Sequence, residues 1–272
     1  MRRRTLTALV LAAIGVPAVV YGGFIFYLVI AIVLVGSTWE YVRMYRAVRS
    51  EPNQIVTIGG VLLITAARFF FEAAAIPLLV VSVLVAMGVH VVAYEGGRDQ
   101  AALDFAVTVS GIMYLGWLGA YLLDLRRLPE GAWWLMLVLL VIWGGDTGAY
   151  SIGAAYGRHK MTPRLSPKKS WEGYAAGVIT SVLAGAFLSY AFSSLGPKPL
   201  GGIVNPLQGG LLGLLIGVLA PLGDLGESMF KRQGGLKDSS NVFPGHGGFF
   251  DRIDSWIWGA VLGYLMIHLL II

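Results

Sequence analysis

Near the carboxyl end, four carboxylates are spaced for joint work. Pro221-Leu222-Gly223-Asp224-Leu225-Gly226-Glu227-Ser228-Met229-Phe230-Lys231-Arg232 reads as a helix with two faces. Asp224, Glu227, Ser228 and Lys231 stand at i, i+3, i+4 and i+7 on one of them, and Leu222, Leu225, Met229 and Phe230 form the other. A polar stripe ending an apolar segment must face protein or a wet cavity, because lipid cannot solvate it. The same Asp-x-x-acid-Ser spacing recurs in Asp251-Arg252-Ile253-Asp254-Ser255. Each cluster has a plain explanation: a helix end surfacing among headgroups for Asp224, helix capping for Asp251 and Asp254. Capping does not need two acids on each of two helices. A hard divalent cation does, since Mg²⁺ takes one or two carboxylates together with phosphate oxygens and water. Asp224, Glu227, Asp251 and Asp254 are therefore candidate ligands for one or two Mg²⁺ ions.

Between the two clusters lies Gln233–Gly248, which contains Lys237, Asp238 and His246 and ends in Gly247-Gly248. Glycines on both sides of His246 let backbone amides turn inward as an anion-binding nest, and Lys231, Arg232, Lys237 and Arg252 surround it with positive charge. A third element joins Asp146, late in an apolar run, to the basic segment Tyr156–Gly173, which carries Ser166, Lys168, Lys169 and Ser170 beside Trp171. That segment suits either a loop resting on anionic headgroups or recognition of a polyphosphate and a base.

What is missing narrows the chemistry. The chain has no Gly-x-x-x-x-Gly-Lys-Ser/Thr phosphate loop and no Gly-x-Ser-x-Gly nucleophile elbow. Its zero cysteines exclude disulfides, thiolate zinc sites and cysteine nucleophiles. His90 and His268 lie in apolar runs and read as packed neutral residues, His159 reads as a loop residue, and His246 alone is placed for chemistry. Metal-dependent phosphoryl or nucleotidyl transfer fits what remains, because such reactions need positioning and charge neutralisation more than covalent help. A phosphate monoester as nucleophile has a second pKa of about 6 and is already largely anionic at neutral pH, so no general base is required.

The elements that must hold these groups are membrane helices. Of 272 residues, 57% are hydrophobic and 13% charged, against about 25% charged in an average soluble protein. Long uncharged stretches, among them Thr5–Trp39, Ala73–Tyr94, Phe105–Leu123, Gly173–Pro197 and Ser255–Ile272, predict an all-α, polytopic integral membrane protein of about nine transmembrane helices. Ten-residue alternating strands are absent, which excludes an outer-membrane barrel. With the amino terminus in the cytoplasm, sixteen basic residues fall on the cytoplasmic side and three opposite, and the carboxyl terminus emerges on the far side. Topology accounts for the net charge of +5, so nucleic acid is not an expected partner. Residues 1–130 read as an N-terminal transmembrane region of about five helices. Residues 131–272 read as a catalytic region of about four, with cytoplasmic loops 156–173 and 231–252.

A specific resemblance rests on the same residues. Ser228-x-Phe230-Lys231-Arg232-x₄-Lys237-Asp238-x-Ser240-x₂-Phe243-Pro244-x-His246-Gly247-Gly248-Phe249-x-Asp251-Arg252-Ile253-Asp254 resembles the signature of the phosphatidate cytidylyltransferases, or CDP-diacylglycerol synthases. Ser166-Pro167-Lys168-Lys169-Ser170-Trp171-Glu172-Gly173 and Gly223-Asp224-x-x-Glu227-Ser228 resemble two further segments of that family. The likeness runs from about residue 140 to 255; earlier residues match only in hydrophobic character. It implies transfer of the cytidylyl group of CTP to phosphatidate, Mg²⁺ dependence, an inner-membrane enzyme with a cytoplasm-facing site among membrane lipids, and a homodimer. On the matching positions, Asp224 and Asp251 would hold the metal with Asp254 in support, and Asp224, Asp251, Lys231 and His246 are the expected catalytic residues. Ser166, Lys168, Lys169, Ser170, Ser228, Arg232, Lys237, Asp238, Gly247, Gly248 and Arg252 are the expected substrate-binding residues. Two other readings use the same acids: a CTP-dependent polyprenol or isoprenoid lipid kinase, which would release CDP, and a cation or phosphate transporter. An inverted repeat of spans, which a transporter would favour, is not evident.

Overall fold

A computed structural model describes residues 2–195, 204–243 and 247–271. His246 lies outside the described residues. The described residues are mostly helical: α1 (Arg2–Tyr21), α2 (Gly23–Arg46), α3 (Gln54–Phe70), α4 (Ala75–Glu95), α5 (Ala101–Gly111), α6 (Tyr121–Arg127), α7 (Gly131–Tyr156), α8 (Trp171–Leu195), α9 (Pro206–Leu219), α10 (Pro221–Gln233) and α11 (Phe250–Leu270). A π-helical stretch, Ile112–Leu118, follows α5. Among the described residues, six segments are long and apolar enough to cross a membrane: Gly23–Arg46, Glu72–Glu95, Ala101–Arg127, Gly131–Tyr156, Trp171–Ser194 and Pro206–Gln233. Val10–Tyr21 and Gln54–Phe70 are apolar but shorter. The protein is thus a helical membrane protein, with six segments meeting both conditions where nine passes were expected.

One departure from all-helical architecture falls in the basic segment. Lys160–Thr162 (β1) and Ser166–Ser170 (β2) pair antiparallel, Lys160 opposite Ser170 and Thr162 opposite Ser166. Strands this short and polar, with Pro163 in the turn and Pro167 on the edge, carry no apolar alternation to announce them. Glu172 closes the hairpin, accepting from the backbone N–H groups of Arg158 and His159, both at 3.2 Å, and meeting His159 Nδ1 at 2.6 Å. His159 is therefore tied into the hairpin's base.

Contacts divide the chain into two compact units, Met1–Leu123 with Met229–Ile253, and Asp124–Ser228 with Asp254–Ile272. The first is built around Leu34, Ile64, Ile112 and Leu115, all fully buried, and an aromatic group of Tyr41, Tyr114, Phe230 and Phe250. In the second, α8 packs along both α7 and α9. Small residues make that approach possible: a methyl group on Gly185 would fall on the carbonyl oxygen of Gly209, and one on Gly213 on the carbonyl oxygen of Ser181. Between lipid-facing helices, where no hydrophobic drive exists, such close backbone contact supplies the association through van der Waals packing.

Candidate active site

In the second unit the acids converge where one helix gives way to the next. α9 ends at Leu219, and Pro221 restarts the chain as α10, its ring suited to a first helical turn that has no use for its missing N–H. Asp224 then falls in that first turn, where the helix dipole favours negative charge. Gly223 lies against the carbonyl oxygen of Asp254 and the ring of Trp258, so that a side chain there would collide with both. This contact holds the start of α10 against Asp254 on α11. The carboxylate oxygens of Asp224, Glu227 and Asp254 consequently lie within 4.8 Å of one another, with Glu227 fully buried. Lys169, from β2, places Nζ 2.6 Å from Asp224 Oδ2. The Ser228 hydroxyl is 3.5 Å from Asp224 Oδ1. Asp146 on α7 lies within electrostatic range of Asp224 and Lys169.

Three carboxylates this close repel one another when charged, and a cation among them relieves that repulsion. The donor set is all oxygen, which suits hard divalent cations such as Mg²⁺, Ca²⁺ and Mn²⁺. The side chains present fit a hard divalent ion.

Of the expected residues on the hairpin, Lys169 reaches the acids, while Lys168 is exposed and Ser166 half-buried. Ser170 is buried and its Oγ accepts from the Gly173 N–H at 3.2 Å, which makes it the amino-terminal cap of α8. Ser170→Ala should therefore lower stability by about 1 kcal/mol, read as a fall in the unfolding midpoint in detergent. An unchanged midpoint would remove the capping role.

The first unit holds the other expected residues. Asp251 Oδ1 pairs with Lys231 Nζ at 2.7 Å, the two side chains being 10% and 11% exposed. Asp251 Oδ2 accepts from the Gly248 N–H at 2.8 Å, the Ser239 N–H at 3.1 Å and the Ser239 hydroxyl at 2.6 Å. Burial alone would raise this carboxyl; the Gly248 amide, the Lys231 ammonium and the Ser239 hydroxyl together hold it down at about 2. Gly247, with φ at 75°, turns the chain against Asp251 where a side chain would strike the carboxylate. Arg252 Nε is buried with no hydrogen-bond partner among the described residues. Arg232 donates to the Leu236 carbonyl at 3.2 Å, and Lys237 and Asp238 are exposed.

One residue in this unit had no counterpart among the expected ones. Glu40, on α2 and fully buried, accepts from the Ser239 hydroxyl at 2.9 Å, from the Phe249 N–H at 3.0 Å and from the Phe250 N–H at 2.8 Å, and also from the Ser240 hydroxyl. A single carboxylate thus caps α11 and gathers both ends of the loop that leads to Asp251. Its one advance signal was an acid ending a long uncharged stretch, since intramembrane acids are costly without a role.

The second unit thus holds an acid cluster facing a hairpin lysine, and the first holds a glycine-rich loop bound to a buried carboxylate. The chain belongs to the cytidylyltransferase family, whose profile matches residues 2–270. It is 31% identical to the phosphatidate cytidylyltransferase of Synechocystis sp. over 298 aligned positions, covering 99% of this chain and 97% of that protein. It is 34% identical to the Pseudomonas aeruginosa protein of the same name, covering 94% and 92%. With the Haemophilus influenzae phosphatidate cytidylyltransferase the identity rises to 44% over 128 residues, but the match covers 46% of this chain and 42% of that protein.

Proposed function

We propose that this protein transfers the cytidylyl group of CTP to phosphatidate, giving CDP-diacylglycerol and pyrophosphate, at the cytoplasmic face of the inner membrane. The observation that carries the reading is the trio Asp224, Glu227 and Asp254 with Lys169 at 2.6 Å, in a chain of the cytidylyltransferase family. The trio would hold Mg²⁺, which when bound neutralises polyphosphate charge and polarises the phosphorus under attack. Lys169 stands where it can pass from Asp224 to a phosphate oxygen. In the first unit Asp251 fixes Lys231, and Arg252 keeps a buried donor for an anion. The phosphatidate monoester oxygen attacks the α-phosphorus of CTP, the bond to the bridging oxygen breaks, and pyrophosphate leaves with that electron pair. Nine passes, with α1, α3 and the apolar part of α11 added to the six long segments, would put the sixteen basic residues on the cytoplasmic side with the hairpin.

The test is incubation of the purified full-length protein with phosphatidate, Mg²⁺ and CTP labelled at either the α- or the γ-phosphate. Label from the α-position should enter the lipid phase with one pyrophosphate released per lipid labelled, and chelation should stop it. Label from the γ-position entering lipid, with CDP as the soluble product, would make the protein a lipid kinase and overturn the proposal.

A further inference from the structure

A cavity of about 790 Å³ opens in the first unit where the end of α2, the connection to α3 and the end of α4 meet. None of its lining residues belongs to the acid trio or the Asp251 loop. Its floor is a fixed ion pair: Asp104, 1% exposed, accepts from Arg98 Nε at 2.7 Å, the Ser50 hydroxyl at 2.8 Å and the Glu51 N–H at 2.7 Å. Arg98 also donates to the carbonyl oxygen of Arg49 at 2.6 Å. Arg49, at φ 66°, closes the carboxyl end of α2, where its N–H reaches the Arg46 carbonyl at 3.3 Å and the Ser50 N–H reaches the Tyr45 carbonyl at 3.2 Å.

Charge and shape narrow the occupant. Asp104 neutralises Arg98, and Glu51, two-thirds exposed, sits 3.6 Å from the same guanidinium. Arg46 is held by Gln54 Oε1 at 3.0 Å, and neither Arg46 nor Arg49 has a carboxylate partner among the described residues. Two guanidinium forks at one cavity suit phosphate oxygens, which they can engage in pairs. The other wall is apolar: Val89, Ala93 and Ile55, the last 85% exposed, continue into the exposed Val85 and Val92 of α4. A free phosphate has no use for that wall. Acyl chains do.

We infer that this cavity binds the phosphodiester headgroup of an anionic membrane phospholipid, with Arg46 and Arg49 on the phosphate and the chains along α4. The site is separate from the one that takes phosphatidate for the reaction. Native mass spectrometry of the full-length protein in detergent, without CTP, tests it with phosphatidylglycerol as probe and phosphatidylcholine as reference. The wild-type protein should retain one phosphatidylglycerol in preference to phosphatidylcholine. Arg46→Ala with Arg49→Ala should weaken that retention about 30-fold, from about 1 kcal/mol for each arginine near an anionic surface. Arg46→Gln with Arg49→Gln, which keeps the side-chain bulk, should do the same with an unchanged unfolding midpoint. Cytidylyl transfer in saturating mixed micelles should stay within about twofold of wild type, at well under 1 kcal/mol. Equal retention of the two lipids by wild type, or undiminished phosphatidylglycerol on the glutamine pair, would overturn the inference. So would displacement by glycerol phosphate, which would make the cavity a free-phosphate site, or loss of transfer in the glutamine pair, which would make it part of the reaction.

Discussion

Asp224→Asn should cut CDP-diacylglycerol formation by at least about 100-fold while leaving the folded protein nearly as stable as before. Asparagine keeps the shape and one oxygen but removes the charge from the trio with Glu227 and Asp254. A hard cation loses a ligand, and Lys169 loses its counter-ion. The stability side of this prediction follows from exposure. The Lys169 and Asp224 side chains are 27% and 39% exposed, so water and salt screen the pair, and its loss costs about 0–1 kcal/mol. Large loss of turnover at a nearly constant unfolding midpoint is the mark of a chemical role. Raised Mg²⁺ should recover part of the activity, because a weakened site still fills by mass action. Turnover near wild type would take Asp224 out of the reaction. A midpoint falling along with activity would point to a structural role instead.

The helical face bearing Asp224, Glu227 and Ser228 was legible because local spacing alone determines it. That Asp254 joins them and Asp251 turns to Lys231 was not, because the two acids share one spacing motif yet meet different partners. What sorts them is backbone packing at Gly223 and the turn at Gly247, which spacing does not encode. Membrane character could be read directly from hydropathy. The count of spans was harder, since α3 at 17 residues and the apolar part of α1 fall short of the length expected of a crossing. The hairpin was hidden by its own composition, with lysines, serines and prolines where strands usually alternate.

Glu40 illustrates the limit best, because its partners lie about two hundred residues away and no local pattern connects them. Glu40→Ala should lower stability by roughly 3–5 kcal/mol, since it strips the acceptor from the Ser240 hydroxyl and from the Phe249 and Phe250 amides inside the protein. If that variant does not fold, Glu40→Gln remains informative. Glutamine matches the size and keeps one acceptor oxygen, but its amide N–H group confronts donors that expected a carboxylate. The loop from Ser239 to Phe250 should then loosen around Asp251, and Lys231 with it. The expected result is a KM for CTP raised about tenfold, the equivalent of about 1.4 kcal/mol, with a smaller change in kcat. A purely structural residue would lower the unfolding midpoint without moving KM in the molecules that remain folded. A glutamine variant with wild-type KM and midpoint would show that the loop holds Asp251 without help from α2.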